Sequence, residues 1–414
     1  MRVLLISPLP GLDPACGDIV YTETLLGYPP GDVTFETYAD ALSRGALIEH
    51  ANRSALLCAW RTGRGRLLET WLTVLAKGIN LLRGKRWLFW EPFRVFSIRP
   101  GEFDLVHVHV FSCAFREIDC PLVVSNALPL RYLYTEARGY SLFRTQCMEW
   151  VERFVAAIVG VNLTSYWLPQ AQRVIAFSHH LKEWYLKRRI KNPDSIDVVP
   201  IYLPSAKRAP DNPHPRRIGF IAKDFEAKGG ELLLEAFFLV RKAIPDAQLV
   251  IVGSRPRLEE NELVARGIRW LPLVPRSELL DQLLPSFDVF AYPTRFDGMP
   301  LVLLEAMSRG IAIAATNYRA IPEMLDDGRA GLLSSAGDVA ALAANLIALL
   351  DQETNLQYRA AAYAHFESTY SAQSIRPKLA ATYWRAMSKT LPDRPRQAKM
   401  FVLRAESADM SVKI

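Results

Sequence analysis

Hydrophobic positions along the chain form short unbroken runs, separated by stretches in which apolar residues recur every three or four places. Val3–Ser7, Leu105–Val110, Leu122–Ser125, Arg173–Phe177, Ile218–Ile221, Gln248–Val252, Val289–Tyr292 and Ile311–Ala315 carry the first pattern. Runs of this length with β-branched enrichment predict strands buried on both faces. The second pattern, near Tyr21–Leu26, Arg144–Ile158, Ser178–Arg189, Glu231–Ala243, Ser277–Leu284, Pro300–Ser308, Val339–Leu350 and Pro377–Ser388, predicts helices. Strand and helix alternate throughout, which predicts an α/β protein with parallel sheets.

The alternation breaks once. Pro200, Pro204, Pro210, Pro213 and Pro215 crowd sixteen residues, and the strand "RIGFI" begins directly after them. Such a segment neither continues a helix nor enters a sheet centre, so it predicts a linker between two α/β domains, 1–204 and 205–372. A cleft between such domains is a usual ligand site.

One position interrupts the apolar pattern in an informative way. In "DGMPLVLLEAMSRG" the run Leu301–Met307 is apolar except for Glu305, and Asp297 lies eight places before it. Pro300 suits the first position of a helix, so the stretch predicts a helix whose N-terminus, behind Gly298, favours a phosphate. A buried carboxylate needs donors or a cation. Paired ribose hydroxyls satisfy it, and so does an internal Arg or Lys. Lys223 and Lys228, in the loop leaving the strand Ile218–Ile221, sit where α/β domains bind ligands and where two ammonium groups could hold a departing diphosphate, although solvated surface lysines would look the same.

These pieces, in order, resemble the family 4 retaining glycosyltransferases of the GT-B fold, two facing Rossmann-like domains. The resemblance spans about Arg217 to Leu350 and rests on "KDFEAKGGELLLEAF", "PDAQLVIVGS", "LVPRSELLDQLLPSFDVFAYPT", "DGMPLVLLEAMSRGIAIAAT" and "IPEMLDDGRAGLLSSAGDVAALAANL". It implies that Glu305 binds the nucleotide ribose, that the backbone of Gly298, Met299, Pro300 and Leu301 approaches the donor, and that Lys223 and Lys228 neutralise the leaving diphosphate. Asp297 would contact the donor sugar, and Leu273 and Val274 would lie near the base. Two elements depart from the family pattern: Asp297 stands for a Glu and Lys223 for an Arg, which keeps the charge but loses the bidentate fork. The resemblance also implies that the helix in 373–390 crosses back to the first domain; the tail 391–414 shows no periodicity.

The first domain is less explicit. Gly17 and Asp18 open the helix after the first strand, in a loop that the resemblance places toward donor phosphates and acceptor. His107 and His109 share one face of their strand. They offer a metal pair without further ligands at suitable spacing, a structural pair, or, through His109, an acceptor-side group. Asn126 and Ala127 occupy the area where many family members carry a His, and Asn126 is the available hydrogen-bonding group. Ser178 is placed as a helix N-cap.

Charge and composition add three points. The net charge of +7 is concentrated between Arg53 and Arg99, where ten Lys or Arg face Glu69 and Glu91 among Trp71, Trp87, Phe89, Trp90 and Phe93. That segment suits a membrane surface, or equally a packed helix with a solvated rim, and no nucleic-acid module accompanies it. The uncharged run Phe154–Gln172 is too polar toward its end for a span and reads as core. Five cysteines, odd in number and without C-x-x-C spacing, fit a reducing, cytoplasmic setting, peripheral at the membrane face if the basic segment binds there. No Asp-x-Asp motif is present, so the expected reaction uses no metal or other cofactor. The expected function is transfer of a sugar from a UDP- or GDP-type donor to a carbohydrate or lipid-linked acceptor. The alternatives are a non-catalytic binding subunit of the same fold and a nucleotide-sugar epimerase.

Overall fold

The structure is a computed structural model that describes residues 1–8, 17–50, 94–109, 113–115, 118–125, 135, 141, 143–146, 171–189, 191–212 and 215–388. Asn126, Ala127, nearly all of the basic segment 53–99, the run Phe154–Gln172 apart from its last two residues, the expected helix beyond residue 146 and the tail 391–414 lie outside the described residues.

Two six-stranded sheets, each parallel throughout, form the frame. The first contains β1 (Arg2–Ile6), β2 (Thr34–Thr37), β5 (Leu105–His109), β7 (Leu122–Ser125), β8 (Arg173–Ala176) and β9 (Ile196–Val198) in the order β2-β1-β5-β7-β8-β9. A small third sheet joins β3 (Leu47–His50), β4 (Arg94–Ile98) and β6 (Cys113–Phe115). The second large sheet holds β10 (Arg217–Ala222), β11 (Gln248–Gly253), β12 (Ile268–Leu271), β13 (Val289–Tyr292), β14 (Ala312–Thr316) and β15 (Leu332–Ser334), in the order β12-β11-β10-β13-β14-β15. In such doubly wound sheets the crevice for a ligand lies beyond the strand carboxyl ends where the order reverses. Here those points are β1/β5 and β10/β13.

Every strand expected from the apolar runs is present within about a residue at each end, because both faces of these strands are covered: Val289–Tyr292 and Leu105–His109 are buried at every position. Four expected helices differ, two of them, Gly17–Gly27 and Ala372–Ser388, by starting four and five residues earlier than expected. Ser277–Leu284 is a short turn, Arg276–Glu278, followed by a wider one, Leu279–Leu283. Pro300 is the residue before the helix Leu301–Met307 and has extended ψ of 119° rather than being its first residue, while Leu303 N–H donates to the Pro300 carbonyl at 3.2 Å.

The proline-rich segment is tied along the second sheet's domain. Leu203 N–H donates to Tyr370 O, Ala209 N–H to Arg309 O, and the buried Arg359 guanidinium to Ala209 O and Pro210 O. Beyond it the helix Ala372–Ser388 reaches the first sheet, where Tyr383 bonds His107 and Arg385 bonds Asp197. A second contact joins the domains: both Glu323 carboxylate oxygens accept from His179 N–H, at 3.0 and 2.9 Å, at the start of the helix His179–Lys187. Ser178 caps that helix, accepting from Leu181 N–H.

Candidate active site

Lys228, Asp297 and Glu305 are placed around the β10/β13 reversal. Lys228 leaves β10 through a loop that turns under β13. Gly229 makes this turn possible: its φ is +82°, and a Cβ there would sit 2.1 Å from the Pro293 carbonyl oxygen. Only a residue without a side chain allows that approach. Lys228 Nζ thereby reaches Asp297 Oδ1 at 2.5 Å. The other Asp297 oxygen accepts from the Tyr292 hydroxyl and from Thr294 Oγ1. Burial first, and the Asp297 charge second, push the Tyr292 hydroxyl well above the ordinary phenol range, so it remains a donor.

Asp297 therefore receives an ammonium and two hydroxyls, and the structure turns it onto Lys228. Lys223 lines an open recess of mixed charge together with Asp224, Phe225, Glu226, Glu231, Ser254, Arg255 and Arg257. Gly298, Met299, Pro300 and Leu301 follow Asp297 directly, and Leu301 packs against Gly17 of the first domain, where an added Cβ would lie 3.3 Å from its Cδ1.

Glu305 is buried, and its partner is a cation that the sequence reading does not name. Arg276 Nη2 lies 2.5 Å from Glu305 Oε1, with side chains 26% and 5% exposed respectively. One of the two ways to satisfy the carboxylate, an internal Arg, is therefore at hand. Arg276 follows β12 by a few residues, after Leu273 and Val274, the segment expected near the base. A second guanidinium, Arg309, donates to the Glu305 carbonyl at 3.3 Å and to Leu280 O at 2.7 Å; burial pulls its pKa down from the usual Arg value. The only hint of Arg276 in the sequence is an Arg a few places after the apolar strand Ile268–Leu271, with no spacing rule to join it to Glu305.

In the first domain His109 is wholly buried at the end of β5, with Asp18 Oδ1 3.3 Å from its Nε2 and Ser125 Oγ 2.9 Å from its Nδ1. Tyr21 packs edge-on against the ring at 4.6 Å. Among the described residues no group of three or more His, Cys, Asp or Glu is placed to hold a metal ion, and no helix is long and apolar enough to cross a membrane.

Residues 215–352 match the model of the glycosyl transferases group 1 family. The chain is 26% identical over 319 residues to a phosphatidyl-myo-inositol mannosyltransferase of Mycobacterium leprae, covering 73% of this chain and 76% of that one. It is 24% identical over 240 residues to the GPI3 subunit of the phosphatidylinositol N-acetylglucosaminyltransferase of Saccharomyces cerevisiae, spanning half of that protein's length. Among solved structures, sucrose-phosphate synthase of Thermosynechococcus elongatus superposes with a TM-score of 0.57 at 16% identity, over 93% of this chain and 98% of that one. Anabaena HepE in complex with UDP and glucose gives 0.55 at 15%, over 92% and 99%. At such identities the structural likeness establishes the fold alone. Taken with the sequence relatives and the matched domain, it shows a glycosyltransferase with the GT-B fold.

Proposed function

We propose that the chain is a retaining, metal-independent glycosyltransferase that takes a sugar from a nucleoside diphosphate donor held by the second domain. The observation that carries this is the convergence of Lys228, Asp297, Tyr292 and the Gly298–Leu301 backbone at the β10/β13 reversal, beside Glu305. Glycosyl transfer places growing negative charge on the departing phosphate, so a preorganised ammonium is the largest available stabilisation. Lys228, fixed by Asp297, supplies it without a metal. The shorter Asp297 acts chiefly by holding Lys228, and Lys223 reaches the diphosphate once ligand draws its loop inward. Glu305 shares its charge between Arg276 and the ribose hydroxyls. Closure of the domains excludes water, so transfer outruns hydrolysis.

A UDP-type donor is supported by the fold shared with a UDP complex, and a lipid-linked acceptor by relatives named for phosphatidylinositol substrates. The test is a thermal-shift screen of UDP, GDP and their sugars, followed by NMR of the product's anomeric configuration. Ligand at about a hundred times its dissociation constant stabilises by about 2.7 kcal/mol. No shift with any nucleotide, or an inverted product, overturns the proposal. Sugar-nucleotide turnover without acceptor distinguishes it from a binding subunit, and an unchanged sugar in the product from an epimerase.

A further inference from the structure

Among the described residues four other than glycine take a positive φ: Arg189, Arg319, Asp326 and Asp327. Aspartate tolerates the left-handed region, and Arg189 stands just past the end of the helix His179–Lys187, where chains commonly turn that way. Neither reason applies to Arg319. It lies in the turn that follows β14, with φ +54°, directly after Tyr318, whose carbonyl accepts from Ile321 N–H at 3.1 Å. A long side chain in that region is strained, and the strain persists only where the surroundings hold it in place.

The strained turn lets Arg319 reach the loop that carries Asp297. β13 and β14 are paired neighbours, so the loops at their carboxyl ends lie side by side. Arg319 Nη1 donates to the Phe296 carbonyl at 2.8 Å, and its guanidinium lies over the Tyr318 ring at 4.5 Å. A hydrogen bond from a charged donor is among the stronger kinds. The Phe296 carbonyl shares a planar peptide unit with the Asp297 N–H, so this bond fixes the plane from which the Asp297 side chain starts. On its other side Phe296 N–H donates to Thr294 Oγ1 at 3.2 Å. Both backbone polar groups of Phe296 are thereby held, and the Asp297 carboxylate beyond them meets Lys228, Tyr292 and Thr294.

We infer that Arg319 is a positioning residue for donor cleavage: its hold on the Phe296 carbonyl sets Asp297, and through Asp297 the Lys228 ammonium, against the departing diphosphate. This rests on the roles given to Lys228 and Asp297 above. The experiment measures release of UDP or GDP from their sugars, with octyl glucoside as acceptor, in Arg319→Ala, Arg319→Gly and Arg319→Lys. Ala and Gly should each lower kcat about tenfold, as for one hydrogen bond from a charged group. The Gly variant, freed of the left-handed strain, should nevertheless unfold at higher urea than the Ala variant. Lys keeps a donor and should recover part of the loss. A loss that came only from a weakened fold would spare Gly relative to Ala. In an Asp297→Ala background, Arg319→Gly should change kcat by less than about twofold, because the side chain it positions is gone. Hydrogen exchange of the amides in 294–301 should quicken in Arg319→Gly without nucleotide, while that of β13 stays as in the wild type. Wild-type kcat in the Ala and Gly variants, a full further loss in the Asp297→Ala background, or unchanged exchange overturns this assignment alone. A wild-type chain that binds nucleotide but cleaves no donor overturns the functional reading, and the role of Arg319 with it.

Discussion

The Arg276–Glu305 pair yields the sharpest quantitative test, because the two partners differ so much in burial. Removing one member of a buried ion pair costs about 3–5 kcal/mol when the survivor's charge remains trapped. In Arg276→Met the survivor is Glu305, 5% exposed on an otherwise apolar helix. Arg309, whose guanidinium already bonds the Glu305 carbonyl, offers partial compensation, so the low end of that range, about 3 kcal/mol, applies. In Glu305→Gln the survivor is Arg276, already 26% exposed, and its head can turn into water. That variant should lose only about 1 kcal/mol, as for a solvent-screened pair. Urea unfolding at pH 7 reads both values. Equal losses, or a larger loss in Glu305→Gln, refute the argument that the buried charge sets the cost. The same variants report on ribose binding. If Glu305 grips the nucleotide, the UDP shift of about 2.7 kcal/mol disappears in Glu305→Gln and persists, scaled by stability, in Arg276→Met. A full shift in Glu305→Gln removes Glu305 from the donor site.

Further outcomes follow from other parts of the molecule. Gly229→Ala must place a side chain at φ +82° and 2.1 Å from the Pro293 carbonyl, so it should cost at least about 2 kcal/mol and weaken the UDP shift by displacing Lys228. Unchanged urea midpoint and shift would refute this. Burial, with a smaller contribution from His109, holds His107 down to about 3, so the folded chain keeps it neutral while the unfolded chain protonates it near 6.5. The unfolded state then binds the extra proton, and stability falls as pH drops from about 6.5 toward 3, by about 2 kcal/mol at pH 5 relative to pH 8. The decrement should vanish in His107→Gln, measured as the difference in unfolding free energy at the two pH values. Donor turnover after EDTA treatment should stay within about twofold of the untreated enzyme if Lys228 does the work of a metal; a loss restored by Mg²⁺ or Mn²⁺ would reject that.

Much of the frame is legible from sequence for a simple reason. Strands such as Ile218–Ile221 and Val289–Tyr292 are covered on both sides, so each appears as a continuous apolar run. The helix Gln352–Thr369 escapes the same reading because its buried stripe, Asn355, Arg359, Ala362 and Phe366, is half polar. Asn355 and Arg359 face inward to bond Asp288 O, Leu349 O, Ala209 O and Pro210 O, a use of helical period that hydrophobicity does not register. At the site, Lys228, Asp297 and Glu305 stand out because each breaks a local pattern. Their partners do not: Tyr292 looks like an ordinary strand residue and Arg276 like a surface one. Pairing across loops is set by tertiary geometry, so a sequence offers the charge and withholds its companion. His109, which reads from sequence as an acceptor-side group or a structural one, is wholly buried, a burial that alternation along its strand does not reveal.

Glu323 gives the molecule a pivot of modest strength. Its carboxylate binds the first backbone N–H groups of a helix in the opposite half of the chain, an attraction of about 0.3–1 kcal/mol at an exposed site. That is close to thermal energy, so this grip by itself sets little resistance to a change in the angle between the halves. A ligand touching both sides need favour one angle by only a small margin to shift the population toward it. High salt, which screens such an exposed contact, should ease rotation about the same point.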